Sequence, residues 1–174
     1  MKNKNQKGIL IWITGLSGSG KTFIANKLKK KIINKDLNFI LINGDNIRKI
    51  FNLSKYDYKN RLKYSYSYSQ LCKFITDQGT NVIITTIAMF DEIRNWNRKN
   101  IEKYFEIYIK CKKRNLIKKN KKNLYLSNKI NVVGKDLAPQ YPKKPDLVIN
   151  NNFKNNLEVI VDKSLKKIYK NFLF

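Results

Sequence analysis

Residues 15–22 read Gly-Leu-Ser-Gly-Ser-Gly-Lys-Thr and satisfy every fixed position of the pattern G-x-x-x-x-G-K-[ST]. The chemistry this spacing serves is polyphosphate binding. Gly15, Leu16, Ser17, Gly18, Ser19 and Gly20 form a curled backbone whose successive N–H groups converge on one anion. The start of a helix adds its partial positive charge. Lys21 is expected to reach the β- and γ-phosphates, and the Thr22 hydroxyl to hold a magnesium ion. Glycine-serine turns before helices are common, so the motif counts only with the right flanks. A nucleoside triphosphate is the expected ligand.

The flanks are right. An apolar run at 9–14 precedes the loop, and residues 23–33 follow with apolar side chains at 23, 24, 28, 32 and 33, a helical spacing. A second buried strand is expected at 38–43, running into Gly44-Asp45-Asn46-Ile47-Arg48, where ligands bind in open α/β sheets. Asp45 also has the chemistry of a helix cap. Residues 49–78 predict a turn and then a long, tyrosine-rich helix that Gly79 ends. Tyr64, Tyr66 and Tyr68, at spacing two, suit a strand, but Leu62, Leu71, Phe74 and Ile75 favour the helix. A third strand at 81–87 is apolar enough to be buried on both faces, a helix follows at 90–103, and a strand of period two at 104–110. The lysine- and asparagine-rich stretch 112–129 is either a solvated surface helix or a mobile basic lid over phosphates. A loop through Pro139, Pro142 and Pro145 leads to a short strand at 146–149. A last helix then sets Leu157, Val161, Leu165, Ile168 and Phe172 on one face. The alternation predicts one α/β domain over 1–174, a three-layer sandwich with a mainly parallel sheet flanked by helices.

Composition narrows the function further. The chain has 174 residues, of which 42% are hydrophobic, enough for a real core. A net charge of +25 invites a nucleic-acid reading, but the lysines are spread through every segment instead of forming one basic stripe interleaved with aromatics. A dedicated nucleic-acid function is not expected. The apolar run near the amino terminus is too short for a signal peptide or a membrane span. Cys72 and Cys111 have no metal-ligand spacing and read as reduced thiols of a cytoplasmic protein. With no histidine in the chain, a general base must be a carboxylate, a lysine or water.

Taken in order, GLSGSGKT at 15–22, GDNIR at 44–48, TTIAMF at 85–90, FEIYIKC at 105–111, KNLY at 122–125, VVGKD at 132–136 and PDLVI at 145–149 resemble adenylyl-sulfate kinases. The resemblance covers about residues 8–150. It implies a small-molecule kinase of the P-loop class in which ATP, with Mg2+, donates its γ-phosphoryl group to the ribose 3′-hydroxyl of a nucleotide. On the same terms Asp45 matches the catalytic aspartate, acting beside Lys21. Arg48 and Arg61 match arginines that grip the acceptor's phosphate-bearing end, and Lys122 a lid lysine beside the acceptor. Ile87, Tyr56 and Val132 fall on the acceptor side, Tyr56 as an aromatic partner for the base. A homodimer is the usual assembly in that family.

The departures from the family pattern cluster on the acceptor side. Asn43 replaces an aspartate, Tyr64, Tyr66 and Ser67 replace an asparagine and two arginines, and Ala88-Met89 replaces Ser-Pro. The lid's KGLY becomes KNLY, and Val132 stands where a phenylalanine stacks on adenine. This pattern resembles the cytidine diphosphoramidate kinases of capsule phosphoramidate biosynthesis more than the sulfate enzymes, and adenylyl sulfate is the alternative acceptor.

Overall fold

The computed structural model describes residues 6–33, 38–119, 123–154 and 156–172, without the side chains of Ile33 and Leu157, so the helical-face assignments of those two side chains lie outside it. The chain begins with β1 (Ile9–Thr14), α1 (Lys21–Ile33), β2 (Phe39–Asn43) and α2 (Gly44–Ile50). It continues through α3 (Tyr58–Asp77), β3 (Asn81–Thr86), α4 (Asp91–Asn100) and β4 (Lys103–Lys110). α5 (Lys113–Lys119), β5 (Leu147–Asn150) and α6 (Leu157–Phe172) complete it. The sheet order is β2-β3-β1-β4-β5, with every pairing parallel. The expected α/β architecture with a parallel sheet is therefore what the chain forms.

The period-two geometry of a strand divides β1 between two cores. Ile9, Ile11 and Ile13 point to one face, where Ile24, Leu28 and Ile32 of α1 and Val161, Leu165 and Ile168 of α6 cover them. Leu10 and Trp12 point to the other, beneath Tyr68 and Cys72 of α3 and Ile93 of α4. With helices on both sides, β1 is buried along its whole length, which explains its unbroken apolar run. Phe172 also packs against the first core, its ring edge-on to Phe105.

Three expectations are corrected. Asp45 is not a cap: Asn43 is, its side chain accepting from the Asp45 N–H at 2.8 Å, which puts Asp45 in the first turn of α2. The period-two pattern at 104–110 predicts one buried face, yet β4 is buried on both faces from Tyr104 to Ile109, Glu106 included. Glu106 is tolerated there because Arg94 and Arg98, four residues apart on α4, lie 3.6 and 3.2 Å from its carboxylate. Asp146 joins the network, bonding Arg98 at 3.0 Å and accepting the Glu106 N–H at 2.7 Å. Burial nevertheless pushes the Glu106 carboxyl above its ordinary pKa, with the two arginines opposing. Finally, the helix expected at 90–103 ends at Asn100, because residues from Lys103 onward pair with β1.

The sequence-read helix and its end hold. α3 is helical through all its tyrosines, and Gly79, at φ +80°, follows its C-cap with its N–H on the Thr76 carbonyl at 3.0 Å. β1 sits at the switch point of the sheet, with β3 on one side and β4 on the other. Connections leave in opposite directions there, which opens a crevice at the strands' carboxyl ends.

Candidate active site

A cleft of about 1520 Å³ occupies that crevice, lined by the loop after β1, the start of α2, one face of α3 and the segment around Val132. A site for one drug-sized ligand spans roughly 300–1,000 Å³, so this cleft has room for two small molecules side by side.

The donor side is built by residues 15–22. Gly15, at φ +150°, passes so close to β4 that a Cβ there would lie 2.6 Å from the Ile109 carbonyl oxygen. Lys21 Nζ donates to the carbonyls of Gly15 and Leu16 at 2.9 and 2.8 Å, which folds its ammonium back over the loop. Thr22, exposed at the start of α1, accepts from Asn43 Nδ2 at 3.3 Å. No cluster of three or more acidic or thiol side chains that would cage a metal occurs among the described residues. One threonine hydroxyl beside a phosphate loop does fit Mg2+, which takes one or two protein ligands and fills its remaining positions from phosphates and water.

Two further residues brace this loop. Asn151, just past β5 and 5% exposed, donates from Nδ2 to the Ser19 carbonyl at 2.9 Å and accepts the Phe153 N–H at 2.9 Å. Tyr125, in the basic segment, donates its hydroxyl to the Ser17 carbonyl at 3.0 Å. Burial raises that phenol's pKa to about 12, so it remains a donor at neutral pH. Phe153 holds a left-handed backbone, φ +65°, and Lys119 Nζ lies 5.4 Å from its ring centre at the cleft wall.

The opposite wall of the cleft joins α2 to α3. The Arg48 guanidinium packs over the Tyr56 ring at 4.0 Å and the Tyr64 ring at 5.1 Å, and donates to the Lys55 carbonyl at 2.8 Å. Arg61 lies 5.2 Å from the Tyr56 ring centre and donates to the carbonyls of Tyr56 at 2.6 Å and Asn131 at 2.9 Å. Burial and the neighbouring Arg48 charge lower the Arg61 pKa, while the Asp45 carboxylate opposes the shift. Asp45, exposed to the cleft, therefore shares an electrostatic neighbourhood with the arginines.

The structure brings the sequence-selected residues to one cleft: Ser17, Gly18, Gly20, Lys21, Thr22 and Asp45 line it together with Arg48, Tyr56, Arg61, Ile87 and Val132. Ile87 fixes the floor, its carbonyl accepting the Thr14 hydroxyl at 2.7 Å. Val132 is 6% exposed and presents an aliphatic wall; Asp136 holds its N–H at 2.9 Å. Lys122 lies outside the described residues. Sequence reasoning missed Asn151, Phe153, Tyr125 and Tyr68. For Tyr68 a signal existed, since Arg61, Tyr64 and Tyr68 fall at i, i+3 and i+7, one face of a helix.

A phosphate loop, an exposed carboxylate and two arginines facing a two-ligand cleft are the parts of a phosphotransferase. Comparison with known proteins agrees: the adenylylsulphate kinase family matches residues 7–150. The chain belongs to that family. It is therefore a kinase, an ATP-dependent phosphotransferase. Cytidine diphosphoramidate kinase of Campylobacter jejuni subsp. jejuni serotype O:2 is 44% identical over 163 residues, covering 91% of this chain and 95% of that protein. Adenylyl-sulfate kinase of Clostridium acetobutylicum is 34% identical over 167 residues, covering 92% of this chain and 83% of the relative. The Mycobacterium tuberculosis APS kinase CysC, solved with AMPPNP and APS, superposes with a TM-score of 0.85 at 24% identity, covering 93% of this chain and 98% of that one. At that identity the superposition speaks for the kinase fold. No helix among the described residues is long and apolar enough to cross a membrane.

Proposed function

We propose that this kinase transfers the γ-phosphoryl group of ATP to the ribose 3′-hydroxyl of cytidine diphosphoramidate, in the making of capsule phosphoramidate. The observation that carries this reading is the similarity to the Campylobacter jejuni enzyme, 44% against 34% for the adenylyl-sulfate kinase of Clostridium acetobutylicum at equal coverage of this chain. The cleft supports it. Val132 offers no ring where the family stacks a phenylalanine on adenine, and one base–aromatic stack is worth about 1–3 kcal/mol, one to two orders of magnitude in affinity.

In this reading Asp45 accepts or orients the proton of the attacking ribose hydroxyl, a role no histidine is present to take. Arg48 and Arg61 hold the acceptor's diphosphate end by charge-assisted hydrogen bonds, aided by Lys122. Lys21 leaves its loop carbonyls to follow the γ-phosphoryl group as charge develops on it. Mg2+ bound with ATP supplies charge neutralisation at the phosphates, and Thr22 is the residue that would hold it. A cytoplasmic homodimer belongs to the same proposal.

A second reading, adenylyl sulfate as acceptor, is favoured by the family match over residues 7–150. The test is ADP release from ATP and Mg2+ with cytidine diphosphoramidate and adenylyl sulfate as parallel acceptors. Preferred turnover of the cytidine compound is expected; preferred turnover of adenylyl sulfate would replace the first reading by the second.

A further inference from the structure

Arg48 and Arg61 face the cleft with donors only, since a guanidinium accepts no hydrogen bond. The nearby carbonyls of Lys55, Tyr56 and Asn131 already accept from these two arginines. That set suits a diphosphate end made entirely of oxygens. An end that carries an N–H needs an acceptor as well.

The Tyr68 hydroxyl is such a group. Tyr68 is 5% exposed, its side chain lines the cleft, and its hydroxyl is buried without a hydrogen bond of normal geometry. The Arg48 guanidinium interacts with the hydroxyl as a side-chain donor, and Asp45 and Tyr64 act on it electrostatically, on the α3 face that also carries Arg61. Burial dominates and raises its pKa, so the phenol is neutral, able to accept one hydrogen bond and donate another. A buried hydroxyl with only a poorly aligned donor beside it costs the protein stability, a cost that a ligand can relieve.

Resting on the proposed cytidine diphosphoramidate acceptor, we propose that Tyr68 is the specificity-determining residue that distinguishes an amide-terminated from an oxygen-terminated diphosphate. Its hydroxyl oxygen accepts the terminal N–H, and its O–H donates a hydrogen bond to a phosphoryl oxygen between Arg48 and Arg61. A site that reads a hydrogen bond discriminates far more sharply than one that reads size, because the unpaired group remains buried with the wrong ligand.

The test compares cytidine diphosphoramidate with CDP, in which an ionisable oxygen replaces the terminal amide, in the full-length wild type and in Tyr68→Phe. The expected result is a preference for the amide in the wild type that falls tenfold or more in Tyr68→Phe, through loss of kcat/KM for the amide and less than threefold change for CDP. ATP binding serves as the control for folding and remains at the wild-type level. A wild-type amide preference that persists in Tyr68→Phe, or an equal fall for both acceptors, overturns this inference alone. Preferred use of adenylyl sulfate by the wild type overturns the proposed function and the inference with it.

Discussion

The contact between Asn151 and Gly20 allows a quantitative test of how the phosphate loop is held. Asn151 makes two hydrogen bonds, to the Ser19 carbonyl and from the Phe153 N–H, both at 2.9 Å. Each is worth about 1 kcal/mol net, and the Ser19 carbonyl stranded in a buried setting adds about 1–3 kcal/mol. Asn151→Ala should therefore cost about 3–5 kcal/mol, a fall in Tm of roughly 6–20 °C for a chain of this length. Gly20→Ala should also destabilise. Its φ of +94° costs an L-residue about 1–2 kcal/mol, and the new Cβ would lie 2.8 Å from Asn151 Nδ2. In the double variant that collision is gone, so the two losses should fall short of their sum by about 1 kcal/mol or more. Calorimetric unfolding of the four proteins gives the cycle, and ATP titration should show weaker nucleotide binding in both single variants. Additive losses, or an Asn151→Ala loss below about 1 kcal/mol, would refute the clamp.

Asp45→Asn should lower kcat by two or more orders of magnitude while ATP affinity stays within about twofold, because Asp45 lies on the acceptor side; retained turnover, read by ADP release, would assign the proton to another group. Tyr125→Phe removes the hydroxyl that meets the Ser17 carbonyl and should raise KM for ATP about fivefold, the equivalent of about 1 kcal/mol. Because burial holds that phenol near 12, the difference between Tyr125→Phe and wild type should not vary across pH 6–9. With a thiol reagent, Cys111 should label in the native protein and Cys72 only after unfolding, since Cys72 is fully buried and its pKa is driven far up. Rapid native labelling of Cys72, read by mass spectrometry, would contradict the packing of α3 on the sheet. For Glu106 the carboxyl pKa is raised in the fold, so the native state binds more protons just above pH 4.5. Its contribution to stability is present below that value and is lost as pH rises through the folded pKa. Glu106→Gln should flatten this slope in unfolding curves recorded from pH 4 to 7.

The donor half was legible because its chemistry is local: eight consecutive residues make the phosphate loop, and the strand and helix that aim it adjoin it in sequence. Asp45 was found for the same reason, at the end of a strand. Its capping role was misassigned because Asn43 and Asp45 are both cap-forming residues, and tertiary packing decides where α2 begins. Glu106 gives residues 104–110 their period-two pattern, because a carboxylate interrupts the apolar run. Its reasons for being buried, Arg94, Arg98 and Asp146, sit on other elements.

The acceptor half was less legible because it is assembled across distance. Arg61 on α3 is tied to the Asn131 carbonyl, 70 residues away, and the brace of the phosphate loop is hidden for the same reason, since Asn151 reaches the Ser19 carbonyl across 132. In a chain rich in asparagine and tyrosine, neither residue type stands out by composition. Helical geometry nevertheless sorts the tyrosine run: Tyr64 and Tyr68, four apart, turn to the cleft, while Tyr66 turns to Trp96 and Glu92. The same rotation that spoils a period-two strand reading places Arg61, Tyr64 and Tyr68 on a single wall of the cleft. Changes in acceptor chemistry can accumulate on that face of α3 while residues 15–22, held by β1, α1 and Asn151, keep their contacts. An enzyme built this way can change acceptor without changing its phosphoryl donor.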